Sequence, residues 1–295
     1  IVFILKSIKL TETHSVPKRS TPTRLQEYGV GIFDACATKS ALKKALKKNY
    51  ISVNSEIATS ATFIKGGETI TLSIPKHVTP KKRLIFKLKV IYEDDYLAVI
   101  HKPAGILVSG NHFKTITNAL VQNITPSSLP DATKPQPVHR LDFATTGLLL
   151  VGKTSSSIRA LNKQFENKTI KKTYVAITIG DMTNTEGIIT SDVDDKSSQS
   201  KYKVEETVLS QRFGKLNLVH LEPLTGRRHQ LRIHLSEMGN PILGDKDYGI
   251  ENLILNGKGM YLHACSLDFT HPFTNEKTSL KSELPERFKK IFSSI

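Results

Sequence analysis

The stretch HRLDFATTGLLLVG, residues 139–152, runs a polar loop carrying one carboxylate, Asp142, straight into an apolar strand bounded by Gly147 and Gly152. A carboxylate at a strand end is a usual place for a reactive group, because the strand fixes a loop that solvent still reaches. Taken alone, an aspartate in such a loop is more often a turn or cap residue. The flanking sequence gives the fold class. Upstream, Leu97-Ala98-Val99-Ile100 is a second short apolar run, ended by Lys102-Pro103-Ala104-Gly105. Downstream, Ile158, Leu161 and Phe165 recur at helical spacing between Ser155 and Asn167. Residues 171–180 alternate, with Val175, Ile177 and Ile179 on one face and Tyr174, Ala176 and Thr178 on the other. By itself that makes Tyr174 an ordinary surface tyrosine. The polar segment 181–201 reads as a loop with short strands. Strands near 202–209 and 215–222 flank the loop Ser210–Gly214, and Thr225 can cap a helix ending near Gly239. Many strands with few helices predict an α+β body with a mixed sheet from about residue 89.

The N-terminal part has a different character. Residues 11–23 are polar with two prolines and read as a loose arm, giving an arm over 1–23. A small basic unit spans 24–76. In it Ser40 can cap a helix with Ala41, Leu42, Ala45 and Leu46 on one side and Lys43, Lys44, Lys47 and Lys48 on the other. Strands at Ile51–Val53 and Ile70–Ile74 follow, with a turn at Asn54-Ser55, and 77–88 reads as a basic linker to a body over 89–295.

Charge divides the chain the same way. Of a net +15, residues 1–88 carry 16 Lys and Arg against 5 Asp and Glu, while the remainder is nearly balanced. A basic module on a balanced body points to a polyanion held by one part and worked on by another. Two cysteines make neither a disulfide framework nor a thiolate metal site, and a reducing compartment fits. The apolar start Ile1–Leu5 is cut off by Lys6, too short for a signal-peptide core, and no run approaches a membrane span of about 18 apolar residues. The expected location is the cytoplasm.

A second chemistry-bearing segment, LTGRRHQLRIHL at 224–235, places Leu231 and Leu235 toward a core and gathers arginines near a helix N-terminus. Cations there oppose the helix dipole, so a nearby anion explains them better than helix stability does.

Together HRLDFATTGLLL, KKTYVAITIG and LTGRRHQLRIHLSEMGNPILGDKDYG resemble the signature segments of the RluA-like pseudouridine synthases. EDDYLAVIHKPAGILV upstream and LHACSLDFTHP downstream extend the resemblance over almost all of residues 89–275, and the unit at 24–76 is similar to the small S-four-type RNA-binding domain. The resemblance implies that Asp142 is the catalytic aspartate, Tyr174 the active-site tyrosine and Arg232 the arginine paired with the aspartate, with Arg227 its competitor. It implies that Arg140 fills the space left by a flipped-out base. His139, Thr146, Arg227, His229 and Gln230 are the further expected substrate contacts, and Lys43, Lys44, Lys47 and Lys48 the expected RNA contacts of the basic unit.

Pseudouridine formation breaks the N-glycosidic bond, rotates the uracil and rejoins it through carbon 5. Asp142 must be ionised in a site that excludes water, which a close arginine favours. A tyrosine can stack on the base and handle a proton. Attack at the sugar and attack at the ring both fit. An isomerisation needs no cofactor or metal. The expected partner is structured RNA, large-subunit ribosomal RNA before tRNA, acted on by a monomer. Two rivals are an RNA-binding ribosome-assembly factor without catalysis and a glycosidase using Asp142 with Asp245. The first would usually have lost the Asp, Tyr or Arg, and the second would need sugar-stacking aromatics where Trp is absent.

Overall fold

In the computed structural model the chain folds as two units, Ile1–Lys82 and Arg83–Ile295, of which residues 9–36, 38–75, 84–255 and 257–294 are described. The first unit contains β1 (Lys9–Ser15), β2 (Thr23–Arg24), α1 (Leu25–Tyr28), α2 (Lys39–Lys47), β3 (Ile51–Val53), β4 (Glu56–Ile57), β5 (Phe63–Ile64) and β6 (Thr69–Pro75). Four of the strands form an antiparallel sheet in the order β1-β6-β3-β4. Helix α2 is amphipathic as its spacing predicts. Leu42, Ala45 and Leu46 pack with Leu25, Ile51, Ile64, Ile70 and Leu72, while Lys43, Lys44, Lys47 and Lys48 are exposed. Asn54 and Ser55 both take positive φ, as a tight hairpin between β3 and β4 requires.

Two expectations for this unit need correction. The cap of α2 is Thr38, two residues before Ser40, and its hydroxyl accepts from the Ala41 amide. Residues 11–15 are not a loose arm: they belong to β1, paired along its length with β6, and Val16 behind it is buried. The strand is held by its backbone ladder, so a sequence with few apolar side chains, KLTETHS, can still form it.

The second unit contains β7 (Lys89–Glu93), β8 (Leu97–Lys102), α3 (Ile116–Leu120), β9 (Ala132–Pro137), β10 (Thr146–Thr154), α4 (Ser155–Glu166) and β11 (Lys171–Ile179). It continues with β12 (Glu186–Val193), β13 (Lys196–Ser210), β14 (Gly214–Pro223), α5 (Gln230–Glu237), β15 (Leu262–Thr270), β16 (Lys277–Lys281) and α6 (Glu286–Lys289). Its sheet runs β12-β13-β14-β11-β15-β10-β8-β7, with β16 on β15 and β9 on β10. The β10–β15 pair is parallel among otherwise antiparallel pairs, so the sheet is mixed and the α+β class is correct.

Strand β10 is buried on both faces. Leu148 and Leu150 pack with Leu161 of α4, and Leu149 and Val151 with Ile116 and Leu120 of α3. A strand covered on both sides reads as a continuous apolar run rather than an alternating one, which is the pattern of GLLLV. The same holds for β11, where Tyr174, Ala176 and Thr178 are buried like Val175 and Ile177. Tyr174 therefore does not sit on an open surface.

Three further boundaries shift. Residues 186–193 and 196–210 are two long strands of a hairpin, turned by Asp194 and Asp195 at positive φ, and not a loop with short strands. Of the expected linker 77–88, residues 77–83 lie outside the described residues. Leu88 is buried in the second unit, its amide donating to Asn123. Finally, α5 starts at Gln230 and not at Thr225. Residues before it form a turn, and His229 holds the N-cap position with left-handed backbone, φ 56°.

Candidate active site

The loop between β9 and β10 delivers Asp142 to the floor of a cleft of 990 Å³, which β11 and the approach to α5 complete. Gly147 makes this possible. Its φ is +117°, and a Cβ there would stand 2.2 Å from the Ala264 carbonyl oxygen, so only glycine lets β10 begin against β15. Ala264 also pairs with Tyr174 of β11, so this approach brings the aspartate loop and the tyrosine strand to one end of the sheet.

The loop itself is pinned by Lys102, a fully buried lysine that sequence reasoning does not single out. Its ammonium donates to the carbonyls of Thr145 at 2.8 Å, Pro103 at 3.0 Å and Phe143 at 3.3 Å. Three acceptors match its three N–H groups. Burial pushes Lys102 down to about 8, while the charge of Asp142 pulls the other way. The one signal in the sequence is a lysine closing the apolar run LAVI, where a solvated end is the ordinary expectation.

Asp142 faces two groups at distances longer than a hydrogen bond. Arg232 Nη1 stands 3.9 Å from Oδ2 and His229 Nε2 3.8 Å from Oδ1. Arg232, 5% exposed, is thus the arginine nearest the carboxylate, and Arg227 is exposed at the cleft edge. The close bonds of Arg232 go elsewhere. Nε and Nη2 each donate at 2.7 Å to the two oxygens of buried Asp245, and Nη2 donates at 2.6 Å to Asp247. Burial works against its charge, but the bonds to Asp245 and Asp247 outweigh that and hold it above the usual arginine range. Burial, with Arg232 and Arg228 nearby, keeps His229 below the usual imidazole range against the pull of Asp142. Burial, and then the charge of Asp142, pushes the Tyr174 phenol above its ordinary range.

The other expected substrate contacts divide. Arg140, Arg227 and His229 line the cleft, with Arg228, Lys168, Lys171 and Lys172 adding further cations. His139 also borders it, but its Nε2 accepts from the Leu150 amide at 2.9 Å and its ring packs on Phe165. Burial drives that imidazole down to about 3, as a neutral acceptor requires. Gln230 has its amide fully engaged, accepting from Thr225 and the Arg227 amide and donating to the Gln199 carbonyl and Ser200. The Thr146 hydroxyl is buried against His263 at 2.7 Å and stands outside the cleft lining. These three hold the loops that carry the site. His234, five residues after His229, is buried with Nε2 2.8 Å from the Ser198 hydroxyl.

Comparison with known proteins identifies the family. Residues 96–237 match the family model described as RNA pseudouridylate synthase. The chain is 30% identical to ribosomal large subunit pseudouridine synthase D of Nitrosomonas europaea, over 88% of this chain and 80% of that protein. It is 31% identical to ribosomal large subunit pseudouridine synthase C of Rickettsia conorii, over 85% and 90%. The solved structure of human RNA pseudouridylate synthase domain containing 1 shares the fold, with a TM-score of 0.55 at 24% identity, over 67% of this chain and 84% of that one.

Proposed function

The chain belongs to the RNA pseudouridylate synthase family and is an RNA-modifying isomerase, and from that premise we propose that it converts uridines of large-subunit ribosomal RNA to pseudouridine with Asp142 as its catalytic carboxylate. The observation that carries the residue assignment is the placement of Asp142 on the floor of a cation-rimmed cleft, within 4 Å of Arg232 and His229 and sharing the cleft with Tyr174. Backbone phosphates are drawn to Arg140, Arg227, Arg228 and the lysines at the rim. A uridine in folded RNA has to leave its stack to reach the floor, and Arg140 is an exposed cationic side chain of the same loop that can occupy the gap. Asp142 then stabilises the reacting centre as an anion, Arg232 and His229 flank it, and the Tyr174 ring lies against the base with a protonated hydroxyl toward it.

The first unit acts as an S-four-type clamp on the same RNA, with the exposed lysines of α2 as its phosphate contacts. Similarity to two ribosomal large subunit synthases supports ribosomal RNA over tRNA. In this reading the enzyme works in the cytoplasm as a monomer and needs no cofactor.

The test is to incubate the wild-type chain and Asp142→Asn with large-subunit ribosomal RNA and with tRNA and to map pseudouridine in each. Wild type should modify the ribosomal RNA, and the variant should bind it with little change while activity falls below about one hundredth. A more active variant would remove Asp142 from its role, and modification confined to tRNA would refute the substrate.

A further inference from the structure

The two groups that face Asp142 are set by a single short loop that follows β14 and α5 in sequence. Gly244 opens it at φ +80°, its missing Cβ allowing the Gly259 carbonyl to approach. Asp245, whose side chain is fully buried, is the hub. Besides the two bonds from Arg232 described above, its Oδ1 accepts from the backbone amides of Asp247 at 3.0 Å and Tyr248 at 3.2 Å. The loop is tied to α5 by Ser236, which donates to the Tyr248 carbonyl at 2.8 Å. Tyr248 then touches both neighbours of Asp142. Its ring lies 4.8 Å from the Arg232 guanidinium, and its hydroxyl is 3.0 Å from His229 Nδ1.

This closes a circuit. Asp245 grips Arg232 directly, and through the turn it makes it places Tyr248, which orients His229. Asp142 receives one nitrogen from each arm, at 3.9 and 3.8 Å. Nε and Nη2 are committed to Asp245 and Asp247, so only Nη1 is turned toward Asp142, at 3.9 Å. Asp142 therefore feels a positive neighbour without being covered by a direct hydrogen bond, and its oxygens stay open toward the cleft.

We infer that Asp245 is a positioning residue for the reaction, fixing Arg232 directly and His229 through Tyr248 at the distances that leave Asp142 free to act. The inference rests on the pseudouridine synthase reading above. Asp245→Asn would keep Oδ1 for the two loop amides and place an N–H where Oδ2 accepts from Arg232 Nε, so it removes that bond and the charge that holds the arginine.

The experiment is a double-mutant cycle in the full chain, measuring the single-turnover rate and RNA affinity of wild type, Asp245→Asn, Arg232→Lys and the double variant. Asp245→Asn should slow the single-turnover step roughly 10²-fold, the scale expected when a reacting neighbour is displaced by about 1 Å. RNA affinity should change less than about threefold, because the cations at the rim are untouched. The double variant should be no slower than Arg232→Lys by more than about threefold, since Asp245 acts through the arginine. Multiplicative losses would overturn the inference, because a residue that merely stabilises the fold adds its effect independently. If Asp245→Asn melts below the assay temperature, Tyr248→Phe and His229→Asn serve the same cycle on the other arm, with the same criterion. A wild-type chain inert on all RNA would overturn the functional reading itself, whereas an active wild type with multiplicative losses overturns only the role of Asp245.

Discussion

Asp142 stands 3.8 and 3.9 Å from its polar neighbours, while the arginine beside it makes bonds of 2.6 and 2.7 Å to other carboxylates. The two candidate arginines differ in setting. Lysine at 232 keeps a charge but loses the planar fork that meets Asp245 through two parallel bonds, leaving a buried carboxylate partly unsatisfied. Arg232→Lys should therefore lose activity roughly 10²-fold. Arg227 is exposed, so Arg227→Lys should cost only about threefold, read in side-by-side single-turnover assays. The reverse ranking would make Arg227 the functional partner. Tyr174 calls for a different variant. Its hydroxyl makes no hydrogen bond to a described residue, and burial with the charge of Asp142 keeps the phenol protonated well above neutral pH. Tyr174→Phe should keep binding of RNA carrying 5-fluorouridine and lower turnover roughly 10²-fold through the missing hydroxyl. Turnover equal to wild type would leave Tyr174 as a stacking surface alone.

At the scale of elements, the site depends on how β10 meets β15. The parallel pairing is short, Thr146 with His263 and Gly147 with Ala264, and it fixes where the Asp142 loop ends. Gly147→Ala adds a methyl group where the nearest backbone oxygen is 2.2 Å away and imposes a positive φ on a residue with a Cβ. Strain and overpacking together should destabilise the second unit by about 2–5 kcal/mol, lowering Tm on the order of 10 °C. A thermal melt indistinguishable from wild type would mean the strands can part there without consequence. Sequence legibility also varies by element. Strands β8, β10 and β11 are plain because each is an unbroken apolar run or a strong alternation. The hairpin at 186–210 is hidden because its turn residues, Asp194 and Asp195, lack the usual glycine and because its outward face is polar. The start of α5 is obscured because Thr225 has the chemistry of a cap but uses its hydroxyl on Gln199 and Gln230.

For the whole molecule, the division into Ile1–Lys82 and Arg83–Ile295, each with its own core, separates charge from chemistry. Deleting residues 1–82 removes the exposed lysines of α2 and leaves Asp142, Tyr174 and Arg232 in place. Each phosphate left without its lysine takes about 0.7 to 0.9 from the slope of log affinity against log salt, so three or four should flatten it by roughly two to three units. The rate at saturating RNA should stay near wild type. Titrations of both proteins across a salt series measure this, and equal slopes would show that the first unit does not hold RNA. Sequence by itself determined the α+β class, the two-part charge distribution, the amphipathic α2 and the segments that carry Asp142, Tyr174 and Arg232, because periodicity, charge and short motifs are local properties of a chain. Tertiary structure alone decided what those residues touch. That Tyr174 is enclosed, that Lys102 pins the aspartate loop from beneath, and that Arg232 is gripped by Asp245 and Asp247 all depend on strands and loops distant in sequence meeting at one end of a sheet. Burial and hydrogen-bond partnership are properties of that meeting, and no spacing along the chain encodes them.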